Sequence, residues 1–349
     1  MKFTFFTSNM LNIFVLSVFI FNFSLFLSQK SELKLQIDSL LAVKSSKPFN
    51  GIVLVGKNDT IQFSKVVGYS DFSTSKLLSI KDQFVIGSIS KQFTVALVLQ
   101  VYEKGNILLD VPISVYLPDL YKSWKDSVTI HQLLTHTHGI TSANEQLEFI
   151  PGTQFHYSQI GYDLLAKIIE KTSKKSFVNL SKELFDKCHM KSTFHPDNIE
   201  YKNLVTSYTE QENGEIGVET KSFQNFPAAG SFVSTAEDLL LWNNCFYGGK
   251  ILKQATLDLL TTIQKGAVRD HPIFGETKYG YGITVTNTDD VIQYGQTGFA
   301  PGFVSMNYYF PESKISVVVL ENVAYDTDDL KKTFHFHLEI LELVKLNLK

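Results

Sequence analysis

A hydroxyl and an amine stand three residues apart in the segment Ser88-Ile89-Ser90-Lys91. On a helix, residues at this spacing lie on the same face one turn apart, so the two side chains can meet. A serine hydroxyl is a weak nucleophile until a neighbouring base takes its proton, and a lysine with a lowered pKa can serve as that base. The pair therefore predicts nucleophilic catalysis through a covalent intermediate on Ser88.

The same spacing of serine and lysine occurs twice more, within residues 31–34 and 73–76, so the pattern alone is not specific. Its surroundings distinguish Ser88, because this residue follows a predicted strand, Phe84 to Gly87, and opens a strongly apolar helix. The free N–H groups and the dipole at a helix start stabilise a developing anion. Context therefore favours Ser88 over the other two serines.

Several further segments accompany this pair in a fixed order along the chain. They are Phe84 to Thr94, Leu133 to Ile140, Pro151 to Gln159, Ala229 to Asp238 and Gln296 to Gly298. Together they resemble the serine β-lactamase and penicillin-binding-protein superfamily, in particular its branch of class C β-lactamases, D-alanyl-D-alanine carboxypeptidases and related esterases. The resemblance spans roughly Phe49 to Val323.

The resemblance implies catalytic roles for three residues. Ser88 is the acylated nucleophile and Lys91 is the amine that activates it. Tyr157 matches the family tyrosine whose phenol carries a proton to the leaving group as general acid and base. An isolated tyrosine would more simply be a loop aromatic that packs on the helices. Here the run Pro151-Gly152-Thr153 before it and the apolar helix after Gly161-Tyr162 favour catalysis.

Two glutamines depart from the family pattern. Gln159 stands where the family has an asparagine two residues after the tyrosine, so its reach toward a substrate amide differs by one methylene. The segment Gln296 to Gly298 is the third element of the family pattern, and its first residue is usually a lysine or a histidine. In this chain the first residue is Gln296, so a neutral amide replaces a cation that would face the substrate carboxylate or the tyrosine. Because of both departures, we rank ester or peptide substrates above β-lactams.

The rest of the third element follows the family. We predict Gln159, Gln296, Thr297, Gly298 and Phe299 as substrate-binding residues. A glycine such as the one in this element permits close approach of substrate to the strand. By resemblance, the backbone N–H groups of residues 88 and 299 form the oxyanion hole, and the loss of one such donor typically costs about 10² to 10³ in rate.

Two other kinds of site need to be compared with this one. His136 and His138, with His131 nearby, form an H-x-H pair that could bind zinc. The pair lacks a following Asp-His and coincides with a helix-turn segment of the family, which favours a structural role. The chain has no G-x-S-x-G segment, which argues against the α/β-hydrolase form of serine catalysis. The hypothesis therefore requires no metal and no organic cofactor.

The elements that position these residues can be predicted from hydrophobic periodicity. Strand patterns cover residues 49–56, 60–67, 281–286, 291–295, 303–310 and 315–320. Amphipathic helices are predicted at 33–43 and from Asp326 onward. We expect an antiparallel sheet made from both ends of the chain and flanked by helices, plus an α-helical lobe. With the resemblance, this is an α+β fold of the β-lactamase/transpeptidase-like kind.

The predicted organisation has three parts. Residues 1–28 are predicted to form a signal peptide or a membrane anchor. A lysine followed by an almost wholly apolar run is typical of a signal peptide. The cleavage site after this run is poor, so an uncleaved membrane anchor stays open. Residues 29–107 and 225–349 form an α/β sandwich lobe, and residues 108–224 form a helical lobe. The protein is therefore expected to be periplasmic or secreted, and attachment to the membrane through its N-terminal segment stays open.

Composition excludes several classes of protein. Of the 349 residues, 44% are hydrophobic and 19% charged, which is ordinary for a globular protein and not for a disordered one. A net charge of −3 gives no electrostatic footprint for nucleic acid. Arg269 is the only arginine, so guanidinium recognition of a carboxylate is nearly excluded and hydroxyls or a lysine would have to provide it. Cys188 and Cys245 are expected to be separate small hydrophobes.

These observations predict an extracytoplasmic serine hydrolase that works through an acyl-enzyme on Ser88. The expected partner is a small-molecule or peptidoglycan-derived substrate, namely an ester, a cell-wall peptide of the D-Ala type or a β-lactam. The alternative is a penicillin-binding or sensor module that acylates slowly or not at all, which the two glutamine departures motivate. Steady turnover would indicate the enzyme, and a single-turnover burst or no reaction would indicate the binder.

Overall fold

The computed structural model describes residues 32–142, 146–198, 202–288 and 291–348. The chain forms two compact units. One is Phe49–His337, and the other combines the described residues before Phe49 with the chain from Leu338 onward. The predicted signal peptide or anchor at 1–28 lies outside the described residues. The predicted division into a sandwich lobe and a helical lobe stays a prediction.

The described strands are short to medium in length. They are β1 (Gly51–Lys57), β2 (Thr60–Val67), β3 (Tyr69–Asp71), β4 (Lys76–Leu77), β5 (Phe84–Val85), β6 (Tyr208–Glu210), β7 (Ile216–Val218), β8 (Val233–Ser234), β9 (Val268–His271), β10 (Gly275–Tyr279), β11 (Thr284–Thr288), β12 (Val291–Ala300), β13 (Phe303–Phe310), β14 (Ile315–Glu321) and β15 (Val323–Ala324).

The described helices lie before, between and after these strands. They are α1 (32–41), α2 (Ser90–Glu103), α3 (Ile130–Leu134), α4 (Ile160–Ser173), α5 (Phe177–Lys187), α6 (Pro227–Gly230), α7 (Ala236–Phe246), α8 (Gln254–Thr261), α9 (Leu330–Thr333) and α10 (His335–Leu346). Short 3-10 turns occur at Gly87–Ile89, Ile113–Val115 and Ser123–Asp126.

Within the described residues, the main sheet has eight strands in the order β2-β1-β14-β13-β12-β11-β10-β9. All neighbouring strands are antiparallel. Two strands precede the central part of the chain and six follow it, so the prediction of an antiparallel sheet made from both ends of the chain is confirmed. Helix α7 packs on this sheet, where a side chain at Gly56 of β1 would collide with Leu240.

The prediction succeeded best where apolar residues alternate or run continuously. Strands β2 and β13 have the predicted bounds, whereas the strand predicted at 281–286 begins only at Thr284. Strands β9 and β10 were not predicted, because Val268–His271 and Gly275–Tyr279 contain mostly polar residues. Strands at the edge of a sheet are often polar, and this is where hydrophobic periodicity is weakest as a signal.

Helix α2 is the central helix of the larger unit. Its residues from Ser90 to Leu99 are all buried, as expected for a helix that is covered on every side. Phe93 makes edge-to-face contacts with Phe185 of α5 and Trp242 of α7, with ring centroids 4.9 and 4.7 Å apart. We predicted that the helix would start at Ser88. In the structure Ser88 lies in the preceding 3-10 turn, and α2 begins two residues later.

The helix predicted at the C-terminal end of the chain needs correction. The helix predicted from Asp326 is divided, because α9 ends at Thr333 with Phe334 as its C-cap residue, and α10 begins at His335. The side chain of Asp329 accepts hydrogen bonds from the backbone N–H groups of Lys331 and Lys332, so it caps α9 three residues after the predicted start.

Between residues 108 and 224, helices α3, α4 and α5 predominate and the described strands are only β6 and β7.

The expectation that the two cysteines stay separate is wrong. Cys188 and Cys245 form a disulfide, with their Cα atoms 5.6 Å apart. Cys188 caps the C-terminal end of α5, and Cys245 lies in the last turn of α7. The two helices bring the residues together although 57 positions separate them in the sequence, a proximity that spacing alone does not reveal. Both residues are buried.

Candidate active site

Ser88 and Lys91 meet as their spacing predicts. The Lys91 Nζ atom lies 3.2 Å from Ser88 Oγ. Ser88 is half-buried in the 3-10 turn, and Lys91, in the first turn of α2, has no exposed surface. The hydroxyl is thus accessible from one side while the amine beneath it is sealed from water.

The surroundings of Lys91 weaken its hold on a proton. Burial lowers the pKa of Lys91, although the nearby Tyr157 phenol opposes the shift. The amine also contacts two oxygen atoms at 2.7 Å, the side-chain Oε1 of Gln159 and the backbone carbonyl of Ala229. A desolvated amine fixed by two acceptors and directed at a hydroxyl can accept that hydroxyl's proton.

Tyr157 lies beside the same amine. Its ring centroid is 4.7 Å from Lys91 Nζ and 4.1 Å from the guanidinium carbon of Arg269. Burial raises the pKa of the phenol, but the positive charges of Lys91 and Arg269 and a hydrogen bond with Ser88 outweigh burial, and the net pKa is below 10. A phenol with a lowered pKa can exchange protons near neutral pH more readily than an ordinary tyrosine.

Arg269 is the residue that sequence reasoning missed. The motifs lie far from it in sequence, and we had expected hydroxyls or a lysine to hold any substrate carboxylate. Strand β9 instead carries Arg269 to the site, opposite Thr277 of β10. Two features of the sequence could have pointed to Arg269. Gln296 lacks the positive charge that the family has at this position, and Arg269 is the only arginine of the chain that could provide that charge.

A close approach of two backbones places strand β12 beside the turn that carries Ser88. Gly87 has a φ of +52°, and a Cβ atom there would lie 2.5 Å from the backbone nitrogen of Phe299. A Cβ atom on Gly298 would lie 2.0 Å from the carbonyl oxygen of Ile86. Only glycines allow this contact, which brings the Phe299 backbone next to the residue before Ser88. The Phe299 side chain itself is 41% exposed.

The other predicted residues of β12 contact protein side chains. Gln296 is fully buried and its Nε2 donates a hydrogen bond to the Tyr279 hydroxyl at 2.9 Å. Thr297 Oγ1 lies 3.4 Å from His271 Nε2. Burial, and secondarily Arg269, lower the pKa of His271 to about 3, so this histidine is neutral. Gln296 therefore belongs to the wall of the site, while Arg269 supplies the positive charge.

Of the histidines considered as a metal site, His131 contacts Tyr281, whereas His136 and His138 lie next to each other. His131 Nδ1 contacts the Tyr281 hydroxyl at 2.8 Å. The rings of His136 and His138 are both buried, with centroids 6.4 Å apart. Within residues 32–142, 146–198, 202–288 and 291–348, no group of three or more His, Cys, Asp or Glu side chains could hold a metal ion. The geometry therefore favours packing roles for these rings.

Comparison with known proteins places this arrangement in a family. The profile of the Beta-lactamase family matches residues 46–342, which is most of the chain. Protein flp of Staphylococcus aureus is 25% identical over 304 residues, an alignment that covers 78% of this chain and 59% of flp. The chain thus spans less than two thirds of the length of this relative.

Solved structures of similar fold agree with the family match. The D-amino acid amidase of Ochrobactrum anthropi SV3 has a TM-score of 0.79 at 19% identity, and the alignment covers 91% of this chain and all of that one. A penicillin-binding protein of Bacillus halodurans has a TM-score of 0.71 at 22% identity, covering 85% of this chain and 95% of that one. At these identities the similarity concerns the fold. Family match and fold agree, and the chain belongs to the β-lactamase family, with its β-lactamase/transpeptidase-like, serine-hydrolase fold.

Proposed function

We propose that this protein is an extracytoplasmic serine hydrolase that forms an acyl-enzyme on Ser88. The observation that carries the proposal is the 3.2 Å contact between the fully buried Lys91 Nζ and the half-buried Ser88 Oγ. An amine that is kept from water has a lowered pKa and can serve as a base at neutral pH. A merely structural lysine would be expected to have a carboxylate partner, and the described partners of this one are neutral oxygens.

The reaction follows from the positions of these groups. Lys91 takes the proton of Ser88, and Oγ attacks the substrate carbonyl to form a tetrahedral intermediate. The backbone N–H groups of Ser88 and Phe299 stabilise its oxyanion. Tyr157 protonates the leaving group as the bond to it breaks. Water then attacks the acyl-enzyme and gives its proton to Tyr157, the bond from the acyl carbon to Ser88 Oγ breaks, and Lys91 returns its proton to Oγ as the acid product leaves.

Arg269 favours substrates that carry a carboxylate near the scissile bond. Its guanidinium is partly exposed beside Tyr157, and guanidinium groups bind carboxylates in bidentate geometry. We propose a peptide or ester of this kind as substrate. The fold similarity to a D-amino acid amidase is consistent with an acyl bond to an amine as the bond that is cleaved. Because Gln159 and Gln296 depart from the family pattern, we rank a β-lactam below a peptide or an ester as the substrate.

The disulfide supports a location outside the cytoplasm. Buried structural disulfides persist in oxidising compartments and are rare in the cytosol, and the Cys188–Cys245 bond is buried. The apolar N-terminal segment, residues 1–28, agrees with export as a secreted, periplasmic or anchored protein. Among the helices of the described residues, none combines the length and apolar character needed to cross a bilayer.

The alternative is a penicillin-binding or sensor module that acylates slowly or not at all. The observation that favours it is the loss of charge at Gln296, whose amide is bound to Tyr279 instead of facing the cleft. Burst kinetics with a chromogenic ester and with penicillin separate the two functions. Steady turnover of the ester supports the hydrolase, and one equivalent of product followed by no turnover supports the sensor.

Intact-protein mass spectrometry after treatment with a fluorophosphonate tests the nucleophile. We expect one adduct, mapped to Ser88, in the wild type and none in Ser88→Ala. Ser90→Ala is the matched control, because this second serine of the segment is buried and its Oγ accepts a hydrogen bond from the Phe232 backbone. An adduct that persists in Ser88→Ala, or that maps elsewhere, would exclude the proposed nucleophile.

A further inference from the structure

His136 holds the chain on both sides of Tyr157. Its backbone carbonyl accepts a hydrogen bond from the N–H of His156 at 2.9 Å. Its ring Nδ1 accepts one from the N–H of Ser158 at 3.2 Å. His156 and Ser158 are the immediate neighbours of the tyrosine, so one residue fixes the backbone before and after it. The φ of His136 is +57°, a conformation in which residues other than glycine are uncommon.

The ring of His136 also packs directly against the catalytic candidate. The centroids of the His136 and Tyr157 rings are 4.4 Å apart, with 36° between the ring planes. Tyr162 and Tyr279 contact the same imidazole, at 5.2 and 5.4 Å between centroids. Aromatic contacts at such distances contribute to packing beyond the area they bury. The phenol ring of Tyr157 therefore packs against His136, which in turn contacts the rings of Tyr162 and Tyr279.

The hydrogen bonds of His136 argue against a proton-transfer role. Because Nδ1 accepts the Ser158 N–H, the neutral ring carries its proton on Nε2. Nε2 is buried and has no polar partner among the described residues. Burial, and secondarily the charge of Lys91, keep the pKa of His136 well below its ordinary value. A neutral ring without an acceptor for its proton can hold Tyr157 in place but has no group to exchange that proton with.

We infer that His136 is the positioning residue for Tyr157, acting through its two hydrogen bonds to residues 156 and 158 and through the stacking of its ring on the phenol. The inference rests on the proposed acyl-enzyme function, in which Tyr157 moves the proton of the leaving group. Lys91 and Arg269 act on the phenol only while its ring stays at 4.7 and 4.1 Å from them. A displaced Tyr157 would lose part of this influence.

Two substitutions separate the parts of this role. His136→Asn keeps a side-chain acceptor for the Ser158 N–H, and asparagine tolerates a positive φ, but it removes the ring. His136→Phe keeps the ring and removes the acceptor. The matched control is His138→Asn. His138 is equally buried and its Nδ1 accepts the N–H of Ile140 at 2.9 Å, while its ring lies against His136 rather than Tyr157 in the described structure.

The test measures the acylation rate constant of Ser88 with an activated ester as a function of pH, together with KM and thermal unfolding. Misplacing a catalytic group by about 1 Å can cost on the order of 10² in rate. We expect losses of about that size in both His136 variants, with little change in KM. The alkaline limb of the pH profile should also move to higher pH, because the pKa of the phenol rises when it loses the influence of Lys91 and Arg269. His138→Asn should keep the wild-type profile.

The outcomes distinguish this inference from the proposed function. If the wild type forms no acyl-enzyme on Ser88, the proposed function fails first. If the wild type acylates, and folded His136→Asn retains the wild-type rate and pH profile, the positioning role is excluded. Equal losses in His136→Asn and His138→Asn, with unshifted pH profiles, would show that both residues only stabilise the fold. His136→Asn gives this answer even if His136→Phe does not fold.

Discussion

The guanidinium carbon of Arg269 lies 4.1 Å from the ring centroid of Tyr157. The single arginine of the chain therefore stacks on the phenol that we propose as general acid and base. Lys91 approaches the same ring at 4.7 Å. Because both cations lower the pKa of Tyr157 against the opposing effect of burial, they replace the charge that Gln296 lacks.

Arg269→Gln should impair the protein in two ways. The pKa of Tyr157 rises, so the alkaline limb of the acylation profile, where the general acid loses its proton, moves to higher pH. Affinity for a carboxylate-bearing substrate also falls, by about tenfold or more for the loss of a charged hydrogen bond. Measurements of kcat and KM against pH for a charged and an uncharged ester check both effects. Lys278→Gln is the control, since it removes a charge from an exposed position on the adjacent strand β10 and should change neither.

Gln159 can be tested with a pair of substitutions. Gln159→Leu removes the oxygen that contacts Lys91 Nζ at 2.7 Å, and a hydrogen bond between neutral groups contributes about 0.5–1.5 kcal/mol. Gln159→Glu puts a carboxylate at the same place, which raises the pKa of Lys91 and keeps the amine protonated. We expect the acidic limb of acylation to move to higher pH in Gln159→Glu only. An unchanged limb in this variant would show that Lys91 is not the base.

Gly298→Ala should lower both stability and acylation. The new Cβ atom would lie 2.0 Å from the Ile86 carbonyl oxygen, so strand β12 must move away from the turn that carries Ser88. Overpacking of this kind costs about 1–3 kcal/mol. Gly230→Ala is the control, because its Cβ would meet no atom closer than 3.8 Å. Thermal unfolding and acylation rates of both variants are compared, and equal behaviour would contradict the proposed close approach.

Removal of the disulfide should destabilise the protein without touching the site. A crosslink that closes a loop of this length contributes about 2–4 kcal/mol, chiefly by restricting the unfolded chain. Urea unfolding of Cys188→Ala/Cys245→Ala should show a loss of that size, while acylation of the folded protein stays at the wild-type rate. A reductant should destabilise the wild type only. If reductant leaves the unfolding midpoint of the wild type unchanged, the bond is absent in the folded protein.

Glu321 predicts a pH dependence of stability. Burial raises its pKa well above the ordinary 4.5, so the folded state prefers the neutral acid. The stability from this group is fully present below the unfolded pKa and is lost as pH rises toward the folded one. Glu321→Gln should therefore gain stability over the wild type as pH rises above 4.5, by about 1.4 kcal/mol per unit. Urea unfolding at several pH values checks this gain.

His337 does not obscure this comparison. It faces Glu321 at 3.4 Å, and burial lowers its pKa to about 3, so it stays neutral through the same pH range in both proteins. Glu312→Gln, at an exposed position, should leave the pH dependence of unfolding as in the wild type. A constant difference between Glu321→Gln and the wild type across pH 5–8 would show that Glu321 ionises normally in the fold.

Local spacing predicted the centre of the site. Ser88 and Lys91 meet because three residues make one helical turn, and this holds although the turn at Ser88 is 3-10 rather than α-helical. Alternating apolar residues likewise set the bounds of β2 and β13. Such features depend on neighbours in the chain, so the sequence contains most of the information that fixes them.

Tertiary packing decided what the sequence left open or suggested wrongly. Arg269 reaches Tyr157 only because β9 takes the edge of the eight-stranded sheet. Cys188 reaches Cys245 only because α5 and α7 end side by side. Both contacts join residues that are far apart in the chain, and no periodicity relates their positions. The sequence by itself thus determined that Ser88 and Lys91, the proposed nucleophile and base, would meet, while the folded sheet decided that Arg269 faces the same site, because only the fold brings distant charges together.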